Sequence, residues 1–163
     1  MLPLTEKQIR SSFINASLRE RKAITLPAHF DTADWENLEF LGWRDAKLPL
    51  VGYVVTVLDE EPVGIMFRKA EGNTRSRPQC SWCEDVDLPN DVVFFNAKAG
   101  GQAGRDGDTI GLLVCANFEC PTNVRTLKSL PYRGFDREAE ATRRIGVLLE
   151  HVQNFAQRVR DGK

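Results

Sequence analysis

The chain has 163 residues, of which 42% are hydrophobic and 28% are charged. This length accommodates one hydrophobic core, or a small core with a stapled subdomain, and excludes two large independent domains. The 22 Lys and Arg residues nearly balance the 23 Asp and Glu residues, so the formal net charge of −1 excludes a general attraction to polyanions and leaves only local basic patches.

The N-terminal sequence MLPLTEKQIRSSF lacks the apolar segment after a basic start that marks a secretory signal. No apolar run approaches the ~20 residues that a membrane-spanning helix needs. We therefore expect a cytoplasmic protein without membrane contacts. In that reducing compartment, paired cysteines are more typical of metal or catalytic sites than of disulfides.

Two helical segments are predicted first. Apolar residues at helical spacing predict a helix from Thr5 to Leu18, with Thr5 as its N-cap. A second helical turn is predicted from Ser17 to Ala23, ending before Pro27. The following stretch, LPAHFDTADWENLEFLGWRDAKLP, is rich in aromatic and turn residues. Its His29 is interpreted as a structural residue rather than a catalytic base, because no Ser or free Cys lies near it in sequence.

A β-hairpin is predicted next. Residues Val51 to Leu58 alternate into a turn at Asp59 to Pro62, and Val63 to Arg68 return. We expect this hairpin to pack beside the part of the chain that contains the cysteines.

All four cysteines fall into two local pairs. Cys80 and Cys83 lie in PQCSWCED, and Cys115 and Cys120 lie in GLLVCANFECPTNVR, after an apolar run that predicts a strand. Two such loops can each supply two thiolates to a tetrahedral zinc site. A thioredoxin-like redox site would need only one pair, usually where a strand meets a helix. Zinc binding is the favoured interpretation, with redox chemistry and ordinary buried cysteines as alternatives.

The segment between the pairs predicts a second hairpin. Its strands are DVVFFNAKA and TIGLLVCAN, joined by the glycine-rich sequence GGQAGRDGD. That sequence lacks the GxxxxGK[ST] pattern and no helix is predicted after it, so it is interpreted as a flexible hairpin tip rather than a phosphate cradle. A short helical turn is predicted from Thr122 to Ser129. A knuckle, a hairpin and a strand running into a helical turn follow the order of a treble-clef zinc finger.

A long helix is predicted at the end of the chain. Asp136 can cap it, and Glu138 and Glu140 favour its positive N-terminal end. Its apolar residues predict a stripe that faces the core: Ile145, Leu148, Leu149, Val152, Phe155, Ala156 and Val159. Its opposite face is interpreted as solvent-exposed: Arg143, Arg144, Arg158 and Arg160. His151 is interpreted as a boundary residue, because four cysteines already complete a tetrahedron.

These elements predict an α+β fold: antiparallel β-hairpins with a four-cysteine treble-clef zinc finger, an N-terminal helix and a long C-terminal helix. One domain is expected over residues 1–163, divided into a helical and aromatic-rich segment (1–49), a hairpin (50–70) and the zinc module with the C-terminal helix (78–163). A closed four-thiolate site has no open position for water, so one structural zinc ion per chain is expected.

Four sequence stretches resemble a known family: FLGWRD, GIMFRKAEG, CSWCEDV and LLVCANFECPTNVR. Together they look like the FBP domain of elongation factor G-binding proteins, the treble-clef zinc domain of the FusB-type fusidic acid resistance proteins. The likeness covers approximately residues 1 to 160. It implies a non-catalytic protein without a small-molecule substrate, which binds elongation factor G and helps to release it from the ribosome.

The resemblance also implies that Cys80, Cys83, Cys115 and Cys120 are zinc ligands. This chain departs from the family pattern in two ways. FusB-type members have a histidine in the second ligand group, where this chain has only cysteines, and they carry an N-terminal helical bundle that is reduced here to about one helix. The ligand change should preserve zinc binding, but release activity and drug resistance do not follow from the resemblance.

Five residues are candidate contacts for elongation factor G. Trp82 lies between two ligands, where it either faces outwards as an interface anchor or packs over the zinc sulfurs. The other candidates lie on the predicted second hairpin, within the second cysteine pair, or after it: Phe95, Lys98, Phe118 and Tyr132.

Two other functions remain open. Basic residues with interleaved aromatics surround the ligand loops and favour contact with ribosomal RNA. They are Arg75, Arg77, Lys98, Arg105, Arg125, Lys128 and Arg133. An enzyme would instead use Cys80 and Cys83 as a reactive dithiol, which requires a thiol of low pKa and activity without zinc.

Overall fold

The computed structural model of the protein describes residues 1–72, 77–126 and 132–163. It contains a five-stranded antiparallel sheet, short N-terminal helices and a long C-terminal helix, which confirms the predicted fold class. Two basic candidates, Arg75 and Lys128, lie outside the described residues, as does the end of the helical turn predicted from Thr122 to Ser129.

Two short helices begin the chain. Helix α1 spans Glu6–Ser12 and helix α2 spans Leu18–Ala23. Each begins with a capping box, led by Thr5 in α1 and by Ser17 in α2. The cap side chain accepts a hydrogen bond from a backbone N–H of the first turn, which would otherwise lack a partner. The predicted N-cap of the first helix is confirmed.

Helix α1 ends earlier than predicted because the chain turns onto the sheet. Phe13 has an extended backbone and forms an isolated parallel bridge with Gly64. The N–H of Ile14 donates to the carbonyl oxygen of Gly64 at 2.9 Å. A Cβ on residue 64 would lie 2.7 Å from the hydroxyl of Ser12, so only glycine allows this close approach. The prediction of a continuous helix to Leu18 is therefore wrong.

The five strands lie in the sheet in chain order, and every neighbouring pair is antiparallel. Their bounds are Leu41–Arg44 (β1), Val51–Leu58 (β2), Glu61–Lys69 (β3), Val92–Lys98 (β4) and Thr109–Cys115 (β5). Strand β1 lies in a stretch whose composition suggested only turns. Because β3 pairs with β4, with Phe67 opposite Ala97, the two hairpins form one continuous sheet rather than modules packed side by side.

The two hairpin connections differ in kind. Asp59 and Glu60 join β2 to β3 with positive φ angles of 52° and 65°, as in a type I′ turn. The connection between β4 and β5 contains a short helix, α3, at Gly101–Arg105, so the prediction of a plain flexible tip is wrong. The N–H of Gly100 donates to the carbonyl oxygen of Val159 at 2.7 Å, which fastens this connection to the C-terminal helix.

The C-terminal helix, α5, spans Arg137–Asp161. Its predicted cap is confirmed, because the carboxylate of Asp136 accepts from the N–H groups of Glu138 and Ala139. The helix ends at Gly162, whose φ of 72° is the left-handed conformation that glycine adopts readily. Within the described part of the chain, no helix combines the length and the apolar character required to span a membrane.

Helix α5 covers one face of the sheet, and most of its predicted stripe is buried there. The buried members are Leu148, Val152, Phe155, Ala156 and Val159. Ile145 is half-buried and Leu149 is exposed at the edge of this contact. Arg144 does not face solvent as predicted, since its half-buried guanidinium lies 3.6 Å from the carboxylate of Asp85.

Helix α1 covers part of the opposite face, where a second core forms. Its Ile9 is buried with aromatic residues of the first strands. The ring of Phe13 packs edge-on against Trp43 and Tyr53, at centroid distances of 6.5 and 5.7 Å. The two cores share the central strands, whose side chains alternate between the faces.

Asn15 links the α1–α2 connection to two strands, which generates a stability prediction. Its Nδ2 donates to the carbonyl oxygens of Met66 and Lys98 at 2.9 and 3.1 Å, and its Oδ1 accepts from the N–H of Met66 at 2.8 Å. We expect Asn15→Ala to lower the free energy of unfolding by about 1–3 kcal/mol, because buried backbone groups lose their partners. Urea denaturation measures this loss. Asn154→Ala, at an exposed position in α5, should change it by less than about 0.5 kcal/mol; equal losses would contradict the role of Asn15.

Candidate metal centre

The first cysteine pair lies in a tight turn that is fastened to the edge of the sheet. The N–H of Ser81 donates to the carbonyl oxygen of Leu113 in β5 at 2.8 Å. The N–H of Glu84 donates to the carbonyl oxygen of Cys80 at 3.0 Å, and Glu84 itself has a positive φ of 57°. These contacts aim the sulfurs of Cys80 and Cys83 inwards, where both side chains are buried.

The second pair lies where a strand runs through a turn into a helix. Cys115 is the last residue of β5, and Cys120 is the first residue of a short helix, α4, at Cys120–Asn123. Between them, Phe118 takes a positive φ of 60°, and its N–H donates to the carbonyl oxygen of Cys115 at 2.9 Å. Pro121 suits the first turn of α4, because a backbone N–H there would lack a helical partner.

The four sulfur atoms converge on one point. All four Sγ atoms lie within 4.8 Å of one another. The Sγ atoms of Cys80 and Cys120 are 3.7 Å apart, and those of Cys83 and Cys115 are 3.6 Å apart. A disulfide requires ~2.05 Å, whereas a tetrahedron with metal–sulfur bonds of ~2.3 Å has edges of ~3.8 Å. The arrangement therefore fits a four-coordinate metal ion, and the structure brings together all four predicted ligands.

Hydrogen bonds to the sulfurs orient this cluster. The Nδ2 of Asn123, at the end of α4, lies 3.3 Å from the Sγ of Cys115 and 3.8 Å from that of Cys83. The backbone N–H of Trp82 donates to the Sγ of Cys80 at 3.4 Å. Such donors stabilise thiolates and hold them in place around a metal ion. The pattern of paired cysteines gives no indication that Asn123 belongs to the site.

The sulfurs influence one another's ionisation. The thiols of Cys115, Cys120 and Cys83 donate hydrogen bonds to the thiolate of Cys80 and hold the pKa of Cys80 well below its usual value. Burial, followed by hydrogen bonds to the neighbouring cysteines, raises the pKa of the Cys120 thiol well above its usual value. One negative charge thus forms easily, but four together require a compensating cation.

This geometry agrees with the comparison with known families. A profile of FBP C-terminal treble-clef zinc fingers matches residues 8–159. The chain belongs to this family. The resemblance in its sequence is thereby confirmed, and the cysteine cluster is a group that could hold the metal ion of an FBP zinc finger.

One solved structure similar to this FBP zinc finger is that of the fusidic acid resistance protein FusC. The TM-score is 0.54 and the sequence identity 19%, over 76% of this chain and 52% of FusC. The chain thus spans about half the length of FusC, and a likeness at this identity shows a shared fold. No curated protein matches this chain.

Burial contradicts three of the predicted partner contacts. Trp82 is only 2% exposed, and its ring packs against those of Phe40 and Phe155 at centroid distances of 5.2 and 5.9 Å. Phe95 and Phe118 are also buried, and their rings stack at 5.2 Å. These side chains offer a partner no contact area, so they are corrected to core residues of the FBP domain.

The remaining predicted contacts are at the surface. Lys98 is exposed on β4, and Tyr132 is 64% exposed. The structure adds Phe94, which is 44% exposed and shares a strand face with Lys98. The sequence contains the pair Phe94–Phe95, and alternation indicates that one of them faces outwards. Only the position of the covering helix decides which one.

Several of the basic residues predicted to contact RNA form hydrogen bonds within the protein instead. Arg77 donates to the carbonyl oxygens of Asn90 and Asp85 at 2.6 and 2.9 Å. Arg125 forms two hydrogen bonds with the carboxylate of Glu39, at 2.9 and 2.8 Å. Lys98, Arg105 and Arg133 remain exposed. The basic patch is therefore smaller than the sequence suggested.

Neither histidine lies among the four sulfurs. His29 is exposed beside a short 3₁₀ turn. The Nδ1 of His151, on α5, lies 3.1 Å from the carbonyl oxygen of Trp82, and so links the helix to the first cysteine turn. The burial of Cys80 and Cys83 also opposes the dithiol interpretation, because a substrate could not reach their sulfurs.

The first metal prediction concerns the ligands themselves. We expect Cys115→Ser to lose the metal ion and cooperative folding, because metal binding contributes ~10 kcal/mol or more to small domains of this kind. Acidification should likewise release the metal, since protons compete for the thiolates. Elemental analysis and thermal unfolding measure both effects. Ser81→Ala, at an exposed position in the same turn, should keep the metal; retention by Cys115→Ser would contradict the assigned ligand set.

The second metal prediction concerns Asn123. We expect Asn123→Asp to weaken metal binding by about 10–100-fold, because a carboxylate replaces the donor beside two sulfurs. Competition with a colorimetric chelator measures the affinity, and the visible spectrum of the cobalt-substituted protein reports changes at the sulfurs directly. Thr122→Ala, at an exposed neighbouring position, is the control. An unchanged spectrum and affinity in Asn123→Asp would rule out this role.

Proposed function

We propose that the protein is a non-catalytic binding protein that carries one structural zinc ion and binds elongation factor G. The family membership over residues 8–159 is the observation that carries this proposal. FusB-type members of the family bind elongation factor G through the same zinc domain. The similarity of the fold to FusC, a fusidic acid resistance protein, is consistent with it.

Zinc is the metal that the ligand set favours. Four thiolates at tetrahedral spacing are typical of structural zinc sites. The ion would be held by Cys80, Cys83, Cys115 and Cys120, and it would supply a rigid crosslink between the first cysteine turn and the β5–α4 turn. All four positions around it are filled by protein, which opposes a role in hydrolysis.

The outer face of β4 and β5 is the docking surface that we propose for elongation factor G. Phe94 and Lys98 project from this face of β4, and Arg68 of β3 lies opposite Asn96 in the register. A Cβ at Gly111 would overlap the ring of Phe94, so the ring reaches over Gly111 of β5. An exposed aromatic ring beside Lys98 and Arg68 combines residue types that often dominate protein interfaces, and Arg68 also pairs with the exposed carboxylate of Glu20 at 3.6 Å.

Ribosomal RNA is a weaker candidate partner. Two of its proposed contacts, Arg77 and Arg125, are held by internal hydrogen bonds. The net charge of −1 supplies no general attraction to phosphates. Release of elongation factor G from the ribosome, and resistance to fusidic acid, would be consequences of binding that require their own assay.

The binding experiment uses the purified zinc-loaded protein and purified elongation factor G. We expect Phe94→Ala to weaken binding by about tenfold or more, because the ring is the central apolar contact of the proposed surface. Lys98→Glu should weaken binding less and mainly at low salt. Leu18→Ala, which removes another exposed apolar side chain, is the control. Calorimetry measures the affinities.

Three outcomes would contradict part or all of the proposal. If the wild-type protein with its zinc intact does not bind elongation factor G, the partner is wrong. If it instead binds ribosomal RNA with a steep dependence on salt, the RNA interpretation replaces this one. Binding that is unaffected by Phe94→Ala would reject the docking surface while leaving the partner in place.

A further inference from the structure

A second surface feature lies away from the metal centre. A groove of about 700 Å³ runs between the N-terminal segment, the end of the β2–β3 hairpin and helix α5. None of the residues that line it belongs to the docking surface proposed above. Apolar side chains from all three parts form its floor and walls: Leu2, Leu4, Val57, Pro62, Ile145 and Leu149.

The apolar lining is open to solvent. Leu2 is 82% exposed and Leu149 is 37% exposed, whereas Leu148, next along α5, is fully buried. The apolar stripe of α5 is therefore wider than the sheet can cover. Exposed leucines that line one groove often mark an interaction site, because a partner that covers them removes their apolar surface from water.

The part of the groove contributed by α5 is a row of side chains spaced four residues apart. Ile145, Leu149 and Gln153 all line it. Rows at this spacing form the ridges and grooves through which one helix packs against another. This row suits an occupant that is itself a helix and that lies along α5.

The charged side chains that line the groove are all acidic, and the cationic amino terminus of Met1, which also lines it, is held by two backbone carbonyl oxygens. The acidic residues are Glu36, Glu39 and Glu60, and within the described residues no Lys or Arg lines the groove. Glu39 is paired with Arg125, while Glu36 and Glu60 are exposed. In the described part of the chain neither of these two glutamates forms an ion pair. An apolar floor with acidic edges complements a basic amphipathic segment.

The walls of the groove are held in place before any partner arrives. The amino group of Met1 donates to the carbonyl oxygens of Trp35 and Leu38 at 2.7 and 2.8 Å. The Nε2 of Gln153 donates to the carbonyl oxygen of Val57 at 3.1 Å, which ties α5 to β2. A preformed groove reduces the entropy lost on binding.

We propose that this groove docks a basic amphipathic α-helix of a partner protein. The apolar side of that helix would contact Ile145 and Leu149, and its Lys or Arg residues would lie beside Glu36 and Glu60. This second interaction surface is independent of binding to elongation factor G through β4 and β5.

The test uses the full-length, zinc-loaded protein labelled with ¹⁵N and a helical peptide of ~18 residues, about five turns. The peptide contains only leucine and lysine, with the leucines on one face. We expect amide shifts around Glu60 and Leu149. Leu149→Ser should weaken binding by about tenfold, and the double variant Glu36→Lys/Glu60→Lys by a similar factor.

Controls separate this proposal from general attraction to a cationic peptide. A scrambled peptide of the same composition has no apolar face and should bind at least about tenfold more weakly. Phe94→Ala should leave binding of the helical peptide unchanged. Equal binding of both peptides, shifts confined to another surface, or full affinity in Leu149→Ser would each overturn the proposal, and none of these results bears on elongation factor G.

Discussion

Four buried sulfur atoms must meet at one point, and the organisation of the protein depends on that constraint. The sulfurs come from a turn before β4 and from the junction of β5 and α4, and they lie within 4.8 Å of one another. Their proximity is unfavourable for thiolates alone, because each negative charge opposes the next. Bound metal would convert this repulsion into a crosslink between the first cysteine turn and the β5–α4 turn.

The same constraint explains the aromatic core. With Cys80 and Cys83 aimed inwards, the short turn between them also directs Trp82 into the protein, while Ser81 faces solvent. The indole ring then fills the space between the sheet and α5, in contact with Phe40 and Phe155. The cysteine cluster therefore belongs to the same hydrophobic core as these rings. Loss of the metal should also loosen the packing of this core and lower the free energy of unfolding.

The helices cover the sheet unevenly and leave apolar side chains exposed. Helix α5 and helix α1 bury the faces of the central strands, but the outer face of β4 leaves Phe94 exposed. The apolar stripe of α5 likewise extends past the sheet and leaves Leu149 at the edge of an acidic groove. The binding surfaces that we propose are places where apolar side chains stay exposed, while the two cores on the central strands hold the fold.

The sequence alone determined the features that depend on neighbours along the chain. Cysteine spacing predicted the ligand set, alternation predicted both hairpins, and the caps at Thr5 and Asp136 predicted where two helices begin. Features that depend on distant contacts were decided only by the tertiary structure. Gly64 ends α1 at Ser12, because the chain there must approach the sheet.

The outward direction of Phe94 follows from which sheet face α5 covers, and the inward direction of Trp82 follows from the turn that buries the two cysteines on either side of it. The donor Asn123 reaches the sulfurs of Cys115 and Cys83 from the end of α4, and this contact depends on how the chain folds around the two cysteine pairs. Periodicity and helix capping can be read from residues close together in the sequence. Burial and long-range hydrogen bonds depend on how the whole chain packs, so they appear only in the tertiary structure.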